Sequence, residues 1–288
     1  MRRVIRWVNP EGYLSVGVEH PREGEFSVLT GIEEPMPLLQ GESFPLGRHV
    51  VPVDEFSLEL EPGLTLVTPL DPPEVWCAEG TYDTADADPM ATSAFRDVYT
   101  AVNDNHRPRL FLKDAGARRT VGPGQAIGIR GDSTWTVPEP EIAVVLGSKG
   151  AIVGYTIAND LSSREIESTS PLYLSQAKVY AGCCAIGPAI YSPEYEPQGF
   201  QIVMRISDED GDVIYQDTAT TAQMTRSIPD LVSWLVRDNP VPPGTVLLTG
   251  TGLVLPDDVN LVPGNWVEIH VPEIGTLVNH VVLASDLA

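Results

Sequence analysis

The stretch VPEPEIAVVLGSKGAIVGYTIAND, residues 137–160, decides how this chain folds. It holds two apolar runs of strand length, 141–147 and 152–158, with the turn-forming Ser148-Lys149-Gly150 between them. Two such runs on a short turn form an antiparallel hairpin. A turn centred near residue 149 sets residue 160 opposite roughly residue 138. Because residues i and i+2 share one face of a strand, Glu139 and Glu141 point together, and the hairpin brings Asp160 beside them. Pro140, which has no amide to donate to a ladder, suits a strand start or an edge.

Neighbouring carboxylates repel unless a cation or a proton lies between them. An E-x-E pair taken alone is weak evidence and reads first as solvated surface charge in a chain this acidic. The third carboxylate, at the end of the partner strand, sets the group apart. Three hard oxygen ligands suit Mg²⁺ or Mn²⁺, or Ca²⁺ with a larger coordination shell.

Outward from the hairpin, short strands are predicted over 125–130, 185–191, 201–206, 213–216, 245–249, 266–271 and 275–283. One helix is predicted over 227–236, with Ser227 as N-cap, Pro229 and Asp230 in its first turn, and Leu231, Trp234 and Leu235 on its apolar face. A second helical spacing occurs over 91–102. Strands without a regular βαβ rhythm argue against a doubly wound nucleotide-binding sheet. Neither the GPGQAIGIRG stretch nor any other fits a dinucleotide or phosphate loop. Strand-like pieces over 3–8 and 13–18 precede three prolines between Pro69 and Pro73. The proline cluster divides the chain into a small N-terminal domain, 1–70, and a catalytic domain, 71–288.

The 288 residues include 40 Asp and Glu against 18 Lys and Arg, a net charge of −22. So few cations disfavour nucleic acid and anionic membrane surfaces as partners. Only Lys113, Lys149 and Lys178 are lysines. An acid-rich, lysine-poor surface is expected where salt screens self-repulsion, which points to a halophilic cytoplasm. No apolar run is long enough to span a membrane, and Asn9-Pro10 interrupts any signal-peptide pattern. Cys77, Cys183 and Cys184 read as reduced core thiols.

Lys178 lies among small and apolar neighbours eighteen residues after Asp160. Burial there would lower its pKa and suit it to general-base work, although a snorkelling structural lysine fits the same residues. Lys113 carries the same two readings. The histidines are scattered without metal-ligand spacing, and His106, in a polar stretch, is only a weak pocket candidate. LLTGTG, residues 247–252, ends a strand in small residues able to approach a carboxylate.

Taken in order, PEPEIAVVL, GYTIANDLSSRE, QAKVYAGCCAIGP and VLLTGTG resemble the fumarylacetoacetate hydrolase family over roughly residues 70–285. Two longer stretches, 111–141 and SPLYLSQAKVYAGCCAIGP, look most like its 2-keto-3-deoxy-pentonate (2-dehydro-3-deoxy-D-arabinonate) dehydratases. The resemblance implies a β-rich α+β catalytic fold of mixed sheets rolled together with few helices, plus the small N-terminal domain. It implies Mg²⁺ held by Glu139, Glu141 and Asp160, a catalytic or substrate-orienting role for Lys178, and substrate contact at Thr251, with Lys113 a further substrate-binding candidate. Arg164 falls in the motif after the metal-binding Asp, where a structural ion-pair role is expected as much as a catalytic one. A 2-keto acid would be the substrate, in a homo-oligomer such as a dimer or tetramer.

The implied reaction is dehydration of a 2-dehydro-3-deoxy-pentonate to 2,5-dioxopentanoate. An acylpyruvate-type C–C hydrolase or oxaloacetate decarboxylase on the same scaffold is the alternative, and a non-catalytic cation-binding protein a third. The chain departs from the family pattern at Glu79-Gly80-Thr81-Tyr82-Asp83 and around 103–106, where a substrate lid is expected. Both departures bear on substrate size and stereochemistry.

Overall fold

The computed structural model describes residues 2–20, 25–50, 60–83 and 106–288. The helical spacing over 91–102 lies outside them. Among the described residues the chain forms a 12-stranded sheet, a five-stranded sheet and a two-stranded one. Across the large sheet the strands are β4 (Leu46–Val50), β3 (Phe26–Leu29), β2 (Leu14–Glu19), β1 (Arg2–Val8), β14 (Cys184–Ser192), β12 (Ile152–Asp160), β11 (Pro140–Leu146), β17 (Val246–Leu248), β6 (Glu74–Glu79) and β7 (Arg109–Ala115). Short β5 (Thr65–Leu66) and β8 (Thr120–Val121) pair with β1 and β14. The five-stranded sheet runs β16 (Val213–Thr220), β15 (Gln201–Ser207), β18 (Trp266–Val271), β19 (Gly275–Leu283) and β9 (Ala126–Ile129). The small pair is β10 (Thr136–Val137) with β13 (Ser162–Ser163).

The hairpin read from residues 137–160 is the centre of the large sheet. Every residue of β11 is buried, as a strand covered on both faces should be. Lys149 (φ 59°) and Gly150 (φ 74°) take the left-handed conformations that close its turn. The pairing departs from a simple hairpin by one residue. Leu146 faces Ile152 but Val145 faces Gly154, so an extra residue, Val153, bulges out of β12. Beyond the bulge Pro140 faces Asn159 and the Asp160 amide donates to the Glu139 carbonyl at 2.9 Å. Asp160 therefore stands opposite Glu139 rather than residue 138.

The strands before residue 70 continue the large sheet, because β1 pairs antiparallel with β14. Ile5, Trp7 and Phe26 join the main core, while Val4, Val16, Val18 and Leu29 form a satellite cluster. Buried Arg6 ties this region to the proline-rich stretch through its pairing with Asp71 and its Nε hydrogen bond to the Thr68 carbonyl at 3.0 Å.

Among the described residues helices are few: α1 (Met36–Leu39), α2 (Arg164–Thr169), α3 (Leu174–Lys178) and α4 (Ile228–Leu235). The last is the helix predicted over 227–236, and its Asp230 amide donates to Ser227 Oγ at 3.3 Å. Sequence reading missed α2 and α3, because six and five residues are too few to display a helical period. No helix among the described residues is long and apolar enough to cross a membrane.

Candidate active site

The site forms at one end of the large sheet because strand directions bring several strand ends to the same edge. β11 starts there, and its antiparallel neighbours β12 and β17 end there. β6 runs parallel to β17, with Leu248 facing Cys77, so Glu79 emerges on the same edge as Gly250. β7 returns antiparallel, setting Arg109 opposite Glu79.

Glu139, Glu141 and Asp160 offer carboxylate oxygens within 4.8 Å of one another, as the alternation argument expects. The group is buried, with Glu141 at 1% and Asp160 at 0% exposure, which excludes the solvated-surface reading. Lys178, at the end of α3, donates from Nζ to Glu139 Oε2 at 2.7 Å and Asp160 Oδ2 at 3.0 Å. Lys113, also fully buried, pairs with Asp160 Oδ1 and donates to the Leu161 carbonyl at 3.0 Å. Arg164 Nη2 lies 3.0 Å from Glu139 Oε1, the ion pair expected of it. Ser162 Oγ donates to that same oxygen at 2.7 Å.

Glu141 is held differently. The Gly250 amide donates to its Oε2 at 2.6 Å. Gly250 sits at φ 93°, and a Cβ there would lie 2.1 Å from Thr81 Oγ1, so only glycine fits. Thr81 Oγ1 instead donates to the Thr249 carbonyl at 2.6 Å, tying the ends of β6 and β17 together. Thr251 follows directly and is half-buried, its Oγ1 accepting from the Leu253 amide at 3.2 Å.

These surroundings divide the carboxylates. Burial would raise Glu139, but the charges of Lys178 and Arg164 and the hydrogen bonds from Lys178 and Ser162 bring it down to about 2. Burial raises Glu141 well above the usual range, and the charges of Asp160 and Glu139 raise it further. Glu141 thus gains most from a cation brought into the group. Three buried carboxylates, one of them costly to ionise unaided, are a donor set that fits a hard divalent ion.

Lys178 corrects an expectation drawn from sequence. Burial does push its ammonium down, but the charges of Asp160, Glu139, Glu79 and Glu167 outweigh burial and hold it well above the ordinary lysine value. Lys113 is likewise raised, with Asp160 the largest influence against burial.

Sequence reading also missed Glu79, Arg109 and Glu167. Glu79 Oε1 lies 3.6 Å from Lys178 Nζ, and Arg109 Nη1 lies 3.5 Å from Glu79 Oε2. Glu167, buried on α2, is pushed up to about 7, first by burial. Only the departure at Glu79–Asp83 signalled any of them. The cysteines are free and buried, and burial raises each thiol, which removes them as nucleophiles. His106 enters contacts through its carbonyl, which accepts from Arg226 Nη1 at 2.9 Å.

Residues 83–282 match the fumarylacetoacetate (FAA) hydrolase C-terminal family. A probable 2-keto-3-deoxyxylonate dehydratase of Haloferax volcanii is 48% identical over 215 residues, covering 74% of this chain and 73% of that protein. The 2-dehydro-3-deoxy-D-arabinonate dehydratase of Saccharolobus solfataricus is 43% identical over 224 residues, covering 76% and 74%. A solved structure of 2-keto-3-deoxy-D-arabinonate dehydratase complexed with magnesium and 2,5-dioxopentanoate superposes with a TM-score of 0.82 at 35% identity, over 98% of each chain. Sequence and fold agree over most of the molecule, the buried carboxylate group included in the matched span, and the chain belongs to the fumarylacetoacetate hydrolase family.

Proposed function

We propose that the protein is a hydro-lyase that converts a 2-dehydro-3-deoxy-pentonate to 2,5-dioxopentanoate and water, in the oxidative breakdown of pentoses such as xylose or arabinose. The observation that carries this reading is the buried carboxylate group with Lys178 Nζ against two of its members. Similarity to dehydratases, one of them complexed with magnesium and 2,5-dioxopentanoate, supports it. Glu139, Glu141 and Asp160 would hold Mg²⁺, or Mn²⁺ or Ca²⁺ in its place. When bound, the cation supplies positive charge that stabilises the ketone oxygen as it gains electron density, and offsets the carboxylate charge holding Lys178 protonated.

Lys178 would move the proton at carbon 3. Loss of that proton lets the carbon 4 hydroxyl leave as water, giving 5-hydroxy-2-oxopent-3-enoate. Isomerisation of this allylic alcohol then yields the aldehyde at carbon 5. Lys113, paired with Asp160, would orient that carboxylate and contact the substrate. The Thr251 hydroxyl would meet the substrate carboxylate. Arg164 fixes Glu139.

With Mg²⁺ present, purified protein is expected to form 2,5-dioxopentanoate from 2-dehydro-3-deoxy-pentonate. Chelation should abolish turnover, and Mg²⁺ or Mn²⁺ should restore it. Preferential release of pyruvate from an acylpyruvate, or decarboxylation of oxaloacetate, would replace this reading with the hydrolase or decarboxylase.

The same reading places the enzyme in a high-salt cytoplasm as a dimer or tetramer, which light scattering can measure. Between about 0.1 M and about 1 M KCl the Debye length falls from ~10 Å to ~3 Å, screening the self-repulsion of a chain of charge −22. Tm is expected to rise by at least about 5 °C over that interval, a gain of roughly 2 kcal/mol. A Tm that is flat or falls with salt would remove the halophilic reading.

A further inference from the structure

Resting on the proposed dehydration, the second half of the reaction needs a base that the first half does not use. The enone formed by loss of water becomes 2,5-dioxopentanoate only if a proton leaves carbon 5 and protons arrive at carbons 3 and 4. Lys178 serves carbon 3. The site must therefore hold a second group further along the substrate chain, and the sheet edge supplies one.

Across that edge the order is Asp160 on β12, Glu141 on β11, Gly250 after β17, and Glu79 on β6. Glu79 stands outside the carboxylates gathered within 4.8 Å, yet its Oε1 is 3.6 Å from Lys178 Nζ. A ligand anchored at the carboxylate group and extending past Lys178 would come within reach of Glu79. Carbons 3 and 5 are two single bonds, about 2.5 Å, apart, so neighbouring bases of this separation can serve both. Glu79 Oε2 is buried and accepts no hydrogen bond among the described residues, with Arg109 Nη1 3.5 Å away. Lys178 thus faces one oxygen of Glu79 and Arg109 the other.

We propose that Glu79 is the catalytic base that isomerises the enone. Its carboxylate takes a proton from carbon 5, the C–H electron pair forms the C4=C5 bond, and the C3=C4 pair shifts to C2=C3 with charge on the carbon 2 oxygen. Protonation at carbon 3 by Lys178 leaves a C4=C5 enol. That enol loses its hydroxyl proton and gains one at carbon 4 from the protonated Glu79, giving the aldehyde. Carbon 5 is oxidised and the former C3=C4 bond reduced within one molecule, so no outside oxidant or reductant is needed.

The test feeds 5-hydroxy-2-oxopent-3-enoate directly to Mg²⁺-loaded wild type and Glu79→Gln and follows loss of enone absorbance. In parallel, exchange of the carbon 3 protons of 2-oxobutanoate in D₂O, read by NMR, reports whether the Lys178 half is intact. Glu79→Gln is expected to slow enone conversion at least about 100-fold while exchange stays within a few-fold of wild type. From the full substrate the variant should accumulate the enone.

Conversion of the enone by Glu79→Gln at the wild-type rate overturns the inference. So does loss of exchange and isomerisation together, since Glu79 would then act through Lys178 or the fold. Conversion lost in Glu167→Gln and kept in Glu79→Gln assigns the role to Glu167 instead. Wild type that leaves 2-dehydro-3-deoxy-pentonate untouched overturns the dehydratase reading itself.

Discussion

Lys178→Met is expected to lower kcat/KM for the dehydration by about 10³-fold, within the range that loss of a positioned acid–base group produces. Methionine fills similar space, so the apolar packing around α3 is retained. What disappears is the ammonium that donates to Glu139 at 2.7 Å and Asp160 at 3.0 Å. That ammonium repels any cation entering between the same carboxylates. Affinity for Mg²⁺ is therefore expected to hold or tighten while turnover collapses. A merely structural lysine would do the reverse, weakening metal binding and leaving the residual enzyme with a near-normal rate. Calorimetric titration of Mg²⁺ beside steady-state kinetics separates the two, and a kcat/KM within tenfold of wild type would remove Lys178 from the chemistry.

Glu141→Gln should act through the metal. The amide oxygen of glutamine still accepts from the Gly250 amide, so the local hydrogen bond of 2.6 Å has a successor. The lost charge is the one that burial, Asp160 and Glu139 make most costly to maintain. Without a cation, removing it relieves repulsion, and the variant is expected to melt no lower than wild type. With Mg²⁺ the order reverses. Wild type should gain about 2.7 kcal/mol at a hundredfold excess over its Kd, whereas the variant should gain little. Loss of this ligand is expected to weaken Mg²⁺ binding by more than about 100-fold, the upper end of what outer-shell changes cost. Tm measured with and without Mg²⁺ reads both effects. Equal Mg²⁺ stabilisation of the two proteins would show that Glu141 is no ligand.

Much of the fold was legible because it is local. Alternation and turn composition are short-range signals, and they located the 137–160 hairpin and the strands that follow. The bulge at Val153 was not legible. It lies in β12, which pairs with both β11 and β14, and it shifts Asp160 by one residue, onto Glu139. The two short helices escaped for lack of a visible period, although α3 delivers Lys178 and α2 begins with Arg164. Glu79 joins the site from a strand more than eighty residues before Asp160 in sequence, through a sheet order that no single segment encodes.

By itself the sequence determined the chemistry on offer: three carboxylates that alternation and a hairpin bring together, a lysine among apolar neighbours, and thiols with nowhere to go but the core. Tertiary structure decided what state each group is in. Glu139 and Glu141 are the same residue type two positions apart on one strand face, and nothing local distinguishes them. Lys178 and Arg164, arriving from two helices, hold the first near 2, whereas burial beside Asp160 and Glu139 drives the second up. The protonation of Lys178 likewise follows from Asp160, Glu139, Glu79 and Glu167, carried by separate elements. The reason is physical: spacing along a strand sets which way a side chain points, but its charge state depends on every group within a few ångströms, and only the folded chain assembles them.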